Sequence, residues 1–198
     1  MNFLRSNNIV HRDIKPANIV LNEKFQVQLT DFGTAKRVIS GSASNNSRST
    51  VSDISYLSGL SAVSQAQISQ TGNSNSSHEE DFDELVGSEC YISPEMVVAK
   101  QYSYASDLWA LGVIVYQLLT GQVPFKGETQ ELTLDLIKKG EFTIPDFVDE
   151  SAKDLIIKLL VKTPNERLGA QNIDELLMHP FFEGIDFKTI KDQTPPAS

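Results

Sequence analysis

The sequence predicts a mainly α fold, a helical bundle with one small β-hairpin near its start. Three observations predict it. Four stretches beyond residue 100 carry helix start and stop signals. One of them, Leu108 to Leu119, is interrupted only by Gln117 and is apolar on nearly every face, as a helix at the centre of a domain should be. Before residue 39, two short apolar runs flank a turn.

In chain order, Ile19-Val20-Leu21 and Val27-Gln28-Leu29 read as strands joined at Asn22-Glu23-Lys24. Ser103 to Leu119 reads as the first long helix, stopped by Gly121 as a C-cap and by Pro124. Thr129 to Lys139 is the second, closed by Gly140. Ser151 to Leu160 is the third, with Ser151 and Asp154 at capping-box spacing. Asn172 to Met178 is the fourth, with Asn172 and Glu175 in the same relation. No internal repeat is visible.

Between strands and helices the composition changes. Residues 39–84 hold fourteen serines, with one cation (Arg48) against six acids, a local charge of −5. Such Ser/Asn-rich sequence buries too little apolar surface to offset its ordering entropy and reads as a disordered insert. Val51, Ile54, Leu57, Leu60 and Val63 recur every three residues and leave a weak docking helix as the alternative.

The whole chain of 198 residues has a net charge of −9, so more than half of that charge sits in the insert. An acidic chain is a poor partner for nucleic acid, whose binding requires many phosphate-neutralising cations. The single cysteine, Cys90, excludes an intramolecular disulfide and a multi-cysteine zinc site, and favours a reducing, cytoplasmic setting. The N-terminus has no apolar core of a secretory signal. The longest apolar run is far short of the ~20 residues of a transmembrane helix.

The residues that carry chemistry are His11-Arg12-Asp13-Ile14-Lys15-Pro16-Ala17-Asn18 and, thirteen residues after Asn18, Asp31-Phe32-Gly33. Either group alone is a weak signal. Both in this order, across a short strand pair, resemble the catalytic loop and metal-binding segment of eukaryotic protein kinases. Later residues fit the same family. Gly87-Ser88-Glu89-Cys90-Tyr91 with Ser93-Pro94-Glu95 resembles the peptide-binding loop and the end of the activation segment. Asp107-Leu108-Trp109 resembles the start of the central helix of the C-terminal lobe. A small-molecule phosphotransferase with a similar loop would lack both.

The resemblance implies roles. Asp13 would accept the hydroxyl proton of the acceptor, and Lys15 would put a positive charge beside the γ-phosphate of ATP. Asn18 and Asp31 are hard oxygen donors suited to Mg²⁺. Lys15, two residues after Asp13, is the pattern of Ser/Thr-directed members. Ser88 would contact Asp13. Asp107 would anchor the backbone of the catalytic loop, and Glu95 would pair with buried Arg167. His11 reads as a packed scaffold residue, Cys90 as a small buried filler and Trp109 as core.

Arg167-Leu168-Gly169 and His179-Pro180-Phe181-Phe182 resemble the AGC group. Asp31-Phe32-Gly33-Thr34-Ala35-Lys36, the Ser-Pro-Glu triplet and Gln193-Thr194-Pro195-Pro196 resemble its 3-phosphoinositide-dependent kinases. The implied fold is a protein-kinase-like C-lobe, and the implied substrates are protein Ser/Thr residues, in particular the activation loops of other AGC kinases.

The expected organisation follows. Residues 1–38 hold the catalytic loop, the hairpin and the Asp-Phe-Gly segment. Residues 39–84 are an insert in the activation segment. Residues 85–190 hold the peptide-binding loop and the remaining helices, and 191–198 form a tail. The chain begins almost at the catalytic loop, without a Gly-rich loop or strand Lys, so the sequence alone leaves open a catalytically incompetent C-lobe that serves as a binding module. By the resemblance, Glu84 stands where relatives carry a phosphorylated Ser, with Arg12 and Lys36 as the cations that would receive it.

Overall fold

The computed structural model describes residues 1–38, 88–190 and 193. The expectations placed on 39–84, including the helix through Val51 and Val63, and on the tail outside residue 193, lie outside the described residues.

The chain starts with helix α1 (Asn2–Ser6) and strand β1 (Ile9–Val10). The predicted hairpin follows as β2 (Ile19–Leu21) and β3 (Val27–Leu29), antiparallel, with Ile19 opposite Leu29 and Leu21 opposite Val27. A second ladder pairs β1 with β4 (Lys36–Arg37), Val10 opposite Lys36. Two residues per strand are too few for any periodicity, so this ladder left no trace in the sequence pattern.

The rest is helical: α2 (Pro94–Ala99), α3 (Tyr104–Thr120), α4 (Gln130–Lys139), α5 (Glu150–Leu159) and α6 (Ile173–Leu177). Helix α3 is the axle. Ser103 and Ser106 form its capping box, each hydroxyl accepting from a backbone N–H. Gly121 ends it at φ +74°, a left-handed conformation that an L side chain rarely adopts. In α4, Thr129 caps the start and Gly140 the end, at the positions predicted.

The predicted start of the third helix is corrected. Helix α5 begins at Glu150, because Asp149 is the N-cap: its Oδ1 accepts both the N–H and the hydroxyl of Ser151, at 2.8 and 2.6 Å. A carboxylate at a helix N-terminus also meets the positive end of the dipole, so it displaces the serine as cap. Asp154 is then free of any capping duty and pairs with Lys158 and His179. Asn172 does cap α6, accepting from the Asp174 N–H, but without the reciprocal Glu175 bond of a capping box.

Helix α3 contributes to three apolar clusters. Trp109, Val113 and Tyr116 pack with Phe125, Ile137, Ile156 and Leu160. Leu108 packs with Leu155, Leu159 and Leu176. Ala110 and Ile114 pack with Ile14 of the loop before the hairpin. The same helix thus holds the helical layer and the N-terminal loops together. Trp109 is fully buried and stacks on Phe125 at 5.4 Å, as its core reading requires.

Close packing of α3 on α5 depends on Gly112. A Cβ there would stand 2.8 Å from Leu159 Cβ and 2.9 Å from Leu160 Cδ2. Gly112→Ala gains about 1 kcal/mol of helix propensity but overpacks by about 1–3 kcal/mol. We expect a net loss of stability and a lower Tm by thermal unfolding, although alanine is the better helix former.

Candidate active site

Two ladders set the site. β1–β4 closes one end of the segment 11–35 and β2–β3 draws its middle into a hairpin. The loop 11–18 and the segment 30–34 are therefore forced alongside each other. Several bonds stitch them. Thr30 donates its N–H and its hydroxyl to the Asn18 carbonyl, at 2.8 and 3.2 Å. Thr34 donates its hydroxyl to the His11 carbonyl at 2.9 Å, and Arg12 Nε donates to the Thr34 carbonyl.

His11 is the scaffold residue that its sequence context suggested. It is fully buried and meets Phe32 edge to face at 4.8 Å. Its Nδ1 accepts from the Asp13 N–H at 3.3 Å and its Nε2 lies 3.0 Å from the Thr30 carbonyl. That pattern assigns the neutral Nε2–H tautomer, with both nitrogens used internally.

Asp13, Lys15 and Asn18 converge. Lys15 Nζ lies 3.2 Å from Asp13 Oδ2. Asn18 Nδ2 donates to that same Oδ2 at 2.9 Å and to the Asp13 carbonyl at 2.7 Å. A 3-10 turn over Pro16–Asn18 brings Asn18 back towards Asp13, with Pro16 preset for the turn. Asp31 is exposed, at φ +55°, and its Oδ1 accepts from the Gly33 N–H at 3.2 Å. Arg12 also has a positive φ, +72°. Left-handed non-glycine backbone costs about 1–3 kcal/mol and persists where surrounding bonds over-determine it.

Those bonds come from Asp107, in the first turn of α3. Its Oδ2 accepts from the His11 N–H at 2.8 Å and its Oδ1 from the Arg12 N–H at 2.9 Å. Burial pushes the Asp107 carboxyl up, and these two backbone donors oppose the shift. Glu95 and Arg167 form a two-pronged pair, Nη1–Oε1 2.7 Å and Nη2–Oε2 2.6 Å. Arg167 is buried and spends its other donors on the carbonyls of Val161, Ala105 and Lys162. Ser106 donates its hydroxyl to Glu95 as well. Burial alone would raise the Glu95 carboxyl, but the Arg167 bonds and charge outweigh it and hold it below the ordinary range.

Arg12 and Lys36 are brought together, over the same ring: Arg12 Cζ is 4.6 Å and Lys36 Nζ 5.9 Å from the centre of Tyr102. Ser88 opens a 3-10 turn (Ser88–Tyr91), but its side chain, and all of Glu84, lie outside the described residues. Cys90 is buried, and burial with the nearby Glu89 charge pushes its thiol up to about 11, so it is an inert filler. Sequence reading missed Thr30, Thr34 and Tyr102. Thr34 was within reach, directly after the Asp-Phe-Gly triplet; nothing local marks Tyr102.

The donor set fits a hard cation held together with phosphate. Asn18 spends Nδ2 on Asp13, which leaves Oδ1 as an oxygen donor, and Asp31 has no second partner among the described residues. Among those residues no group of three or more His, Cys, Asp or Glu could hold a metal alone. Mg²⁺ binds in this way, through one or two protein oxygens plus substrate phosphates and water.

A loop of this kind, joined to a helical lobe, defines a protein kinase domain. The protein kinase domain family matches residues 1–59 and 60–182, and the chain belongs to that family. Within it, the chain is similar to 3-phosphoinositide-dependent protein kinase 1 of Rattus norvegicus, 36% identical over 199 residues, covering 99% of this chain and 29% of that protein. It is 36% identical to the putative 3-phosphoinositide-dependent protein kinase 2 of Homo sapiens, covering 99% of this chain and 41% of that protein. It is 33% identical to the serine/threonine-protein kinase ksg1 of Schizosaccharomyces pombe, covering 99% of this chain and 29% of that protein. The chain thus spans less than half the length of these relatives. Among the described residues no helix is long and apolar enough to cross a membrane.

The Glu95–Arg167 pair gives a pH-dependent test. Removing one partner of a buried pair costs about 3–5 kcal/mol. Because the folded Glu95 titrates below the unfolded chain, its contribution is complete above the unfolded value of about 4.3 and fades as the pH falls through the folded value. In urea unfolding, wild type and Glu95→Gln should differ by that amount at pH 7 and converge in acid.

Proposed function

We propose that this chain supplies the catalytic lobe of an ATP-dependent protein serine/threonine kinase. The observation that carries the reading is the convergence of Asp13, Lys15 and Asn18, with Asp31 tied alongside through Thr30. Asp13 orients the acceptor hydroxyl and takes its proton; Asn18 keeps its carboxylate fixed for that task. Lys15, already beside Asp13, puts positive charge where the transferred group becomes more exposed in charge. Asn18 Oδ1 and Asp31 are the groups that would hold Mg²⁺, together with phosphate oxygens of ATP. The bound metal neutralises phosphate charge; the protein's part is placement. The acceptors are protein Ser/Thr residues, and the likeness to 3-phosphoinositide-dependent kinases supports activation loops of other AGC kinases as the class.

The test uses the full-length protein. Asp13→Asn should lower the rate of peptide phosphorylation by about 10²–10⁴-fold, with unchanged thermal unfolding. Asp31→Ala should abolish transfer at ordinary Mg²⁺. Normal turnover of Asp31→Ala with Mg²⁺-ATP would remove Asp31 from the metal site.

The charge of Glu84 has its own reading. Arg12 and Lys36 meet over Tyr102, and Glu84 supplies them a fixed negative charge of about −1, against roughly −1.5 to −2 for a phosphate. Glu84→Ala should then lower kcat/KM by about three- to tenfold. Equal kcat/KM for the two proteins would return Glu84 to a solvated acidic run.

A further inference from the structure

Two cations share one aromatic face at the edge of the candidate site. Arg12 Cζ stands 4.6 Å and Lys36 Nζ 5.9 Å from the centre of the Tyr102 ring, both within the roughly 6 Å over which a ring face attracts a cation. Tyr102, Arg12 and Lys36 are all half-buried, so water and salt screen these contacts less than at an open surface. Two like charges so placed repel each other, and the negative face of the ring offsets that repulsion.

The three residues come from three segments. Arg12 lies between His11 and Asp13, and its Nε donates to the Thr34 carbonyl. Lys36 is in β4, opposite Val10, on the segment that carries Asp31. Tyr102 directly precedes Ser103, the N-cap of α3, whose first turn carries Asp107. The start of one helix thus grips Arg12 twice, Asp107 at the backbone N–H and Tyr102 at the guanidinium. The second grip also takes in Lys36. We infer that Tyr102 is a positioning residue for phosphate transfer: through Arg12 and Lys36, its ring holds the Asp13 loop and the Asp31 segment at a fixed spacing. Reacting groups tolerate little displacement, and a misplacement of about 1 Å can lower a rate by about 10²-fold. This inference rests on the kinase reading above and adds a residue to the same site.

The experiment replaces Tyr102 in the full-length protein by Phe, by ring-fluorinated phenylalanines and by Leu. Fluorination keeps the shape of the ring and weakens its negative face. Two quantities are read: kcat for phosphorylation of a serine peptide, and amide hydrogen exchange of residues 11–15 and 33–37 by mass spectrometry. Tyr102→Phe should stay within about twofold of wild type in both. Successive fluorination should lower kcat and speed exchange stepwise, to a kcat about three- to tenfold below wild type, with Tyr102→Leu at that level or lower. Because the fluorinated rings fill the same space, the comparison survives a Leu variant that fails to fold. Exchange that follows the charge of the ring face in a protein that transfers no phosphate, wild type included, would overturn the catalytic reading and leave Tyr102 as the residue that positions the loop. Exchange that ignores fluorination, or a kcat that ignores it in an active protein, would overturn the assignment of Tyr102.

Discussion

The candidate site depends on one carboxylate, that of Asp107. It leaves the first turn of the axle helix and binds two consecutive backbone N–H groups, those of His11 and Arg12. Those residues begin the loop that carries Asp13, Lys15 and Asn18. Arg12 holds a left-handed backbone that would relax without a strong acceptor. Asp107 meets the general condition for a buried acid: it is desolvated, and its charge is shared by hydrogen bonds that the loop alone cannot supply. The loop is therefore shaped by the helix core, and the core is shaped by packing.

The same end of α3 gathers a second charged cluster. Ser106 caps the helix backbone and also bonds to Glu95. Arg167 reaches from beyond α5 to bond the Ala105 carbonyl and the Glu95 carboxylate together. Every buried donor of that guanidinium has an acceptor, so the pair is fully satisfied and rigid, and a half-satisfied version would be far more costly than an apolar one. Position of the loop, start of the axle helix and placement of α2 are thus one connected polar network set in an apolar bundle.

Much of this was legible. The hairpin and two of the long helices appear where turn residues, caps and periodicity put them, because those signals are local. Asp13, Lys15, Asn18 and Asp31, and likewise Glu95, Asp107 and Arg167, are candidates in the sequence through the likeness of their motifs to a family, and the structure brings each set together. Less was legible where a competitor stood nearby. Asp149 took the cap expected of Ser151, since a carboxylate two residues earlier makes the stronger bonds. The β1–β4 ladder and the meeting of Arg12 and Lys36 over Tyr102 gave no local signal, because their partners lie far apart in sequence.

By itself, the sequence determined the candidate site residues, the helical character of the chain and the concentration of negative charge in residues 39–84. These follow from residue type, spacing and composition. Only the tertiary structure decided which groups meet. It gave His11 its tautomer, Arg12 its backbone and Asp107 its two donors. The physical reason is that compensation of a buried charge is a property of its surroundings, and those are assembled from segments up to about a hundred residues apart.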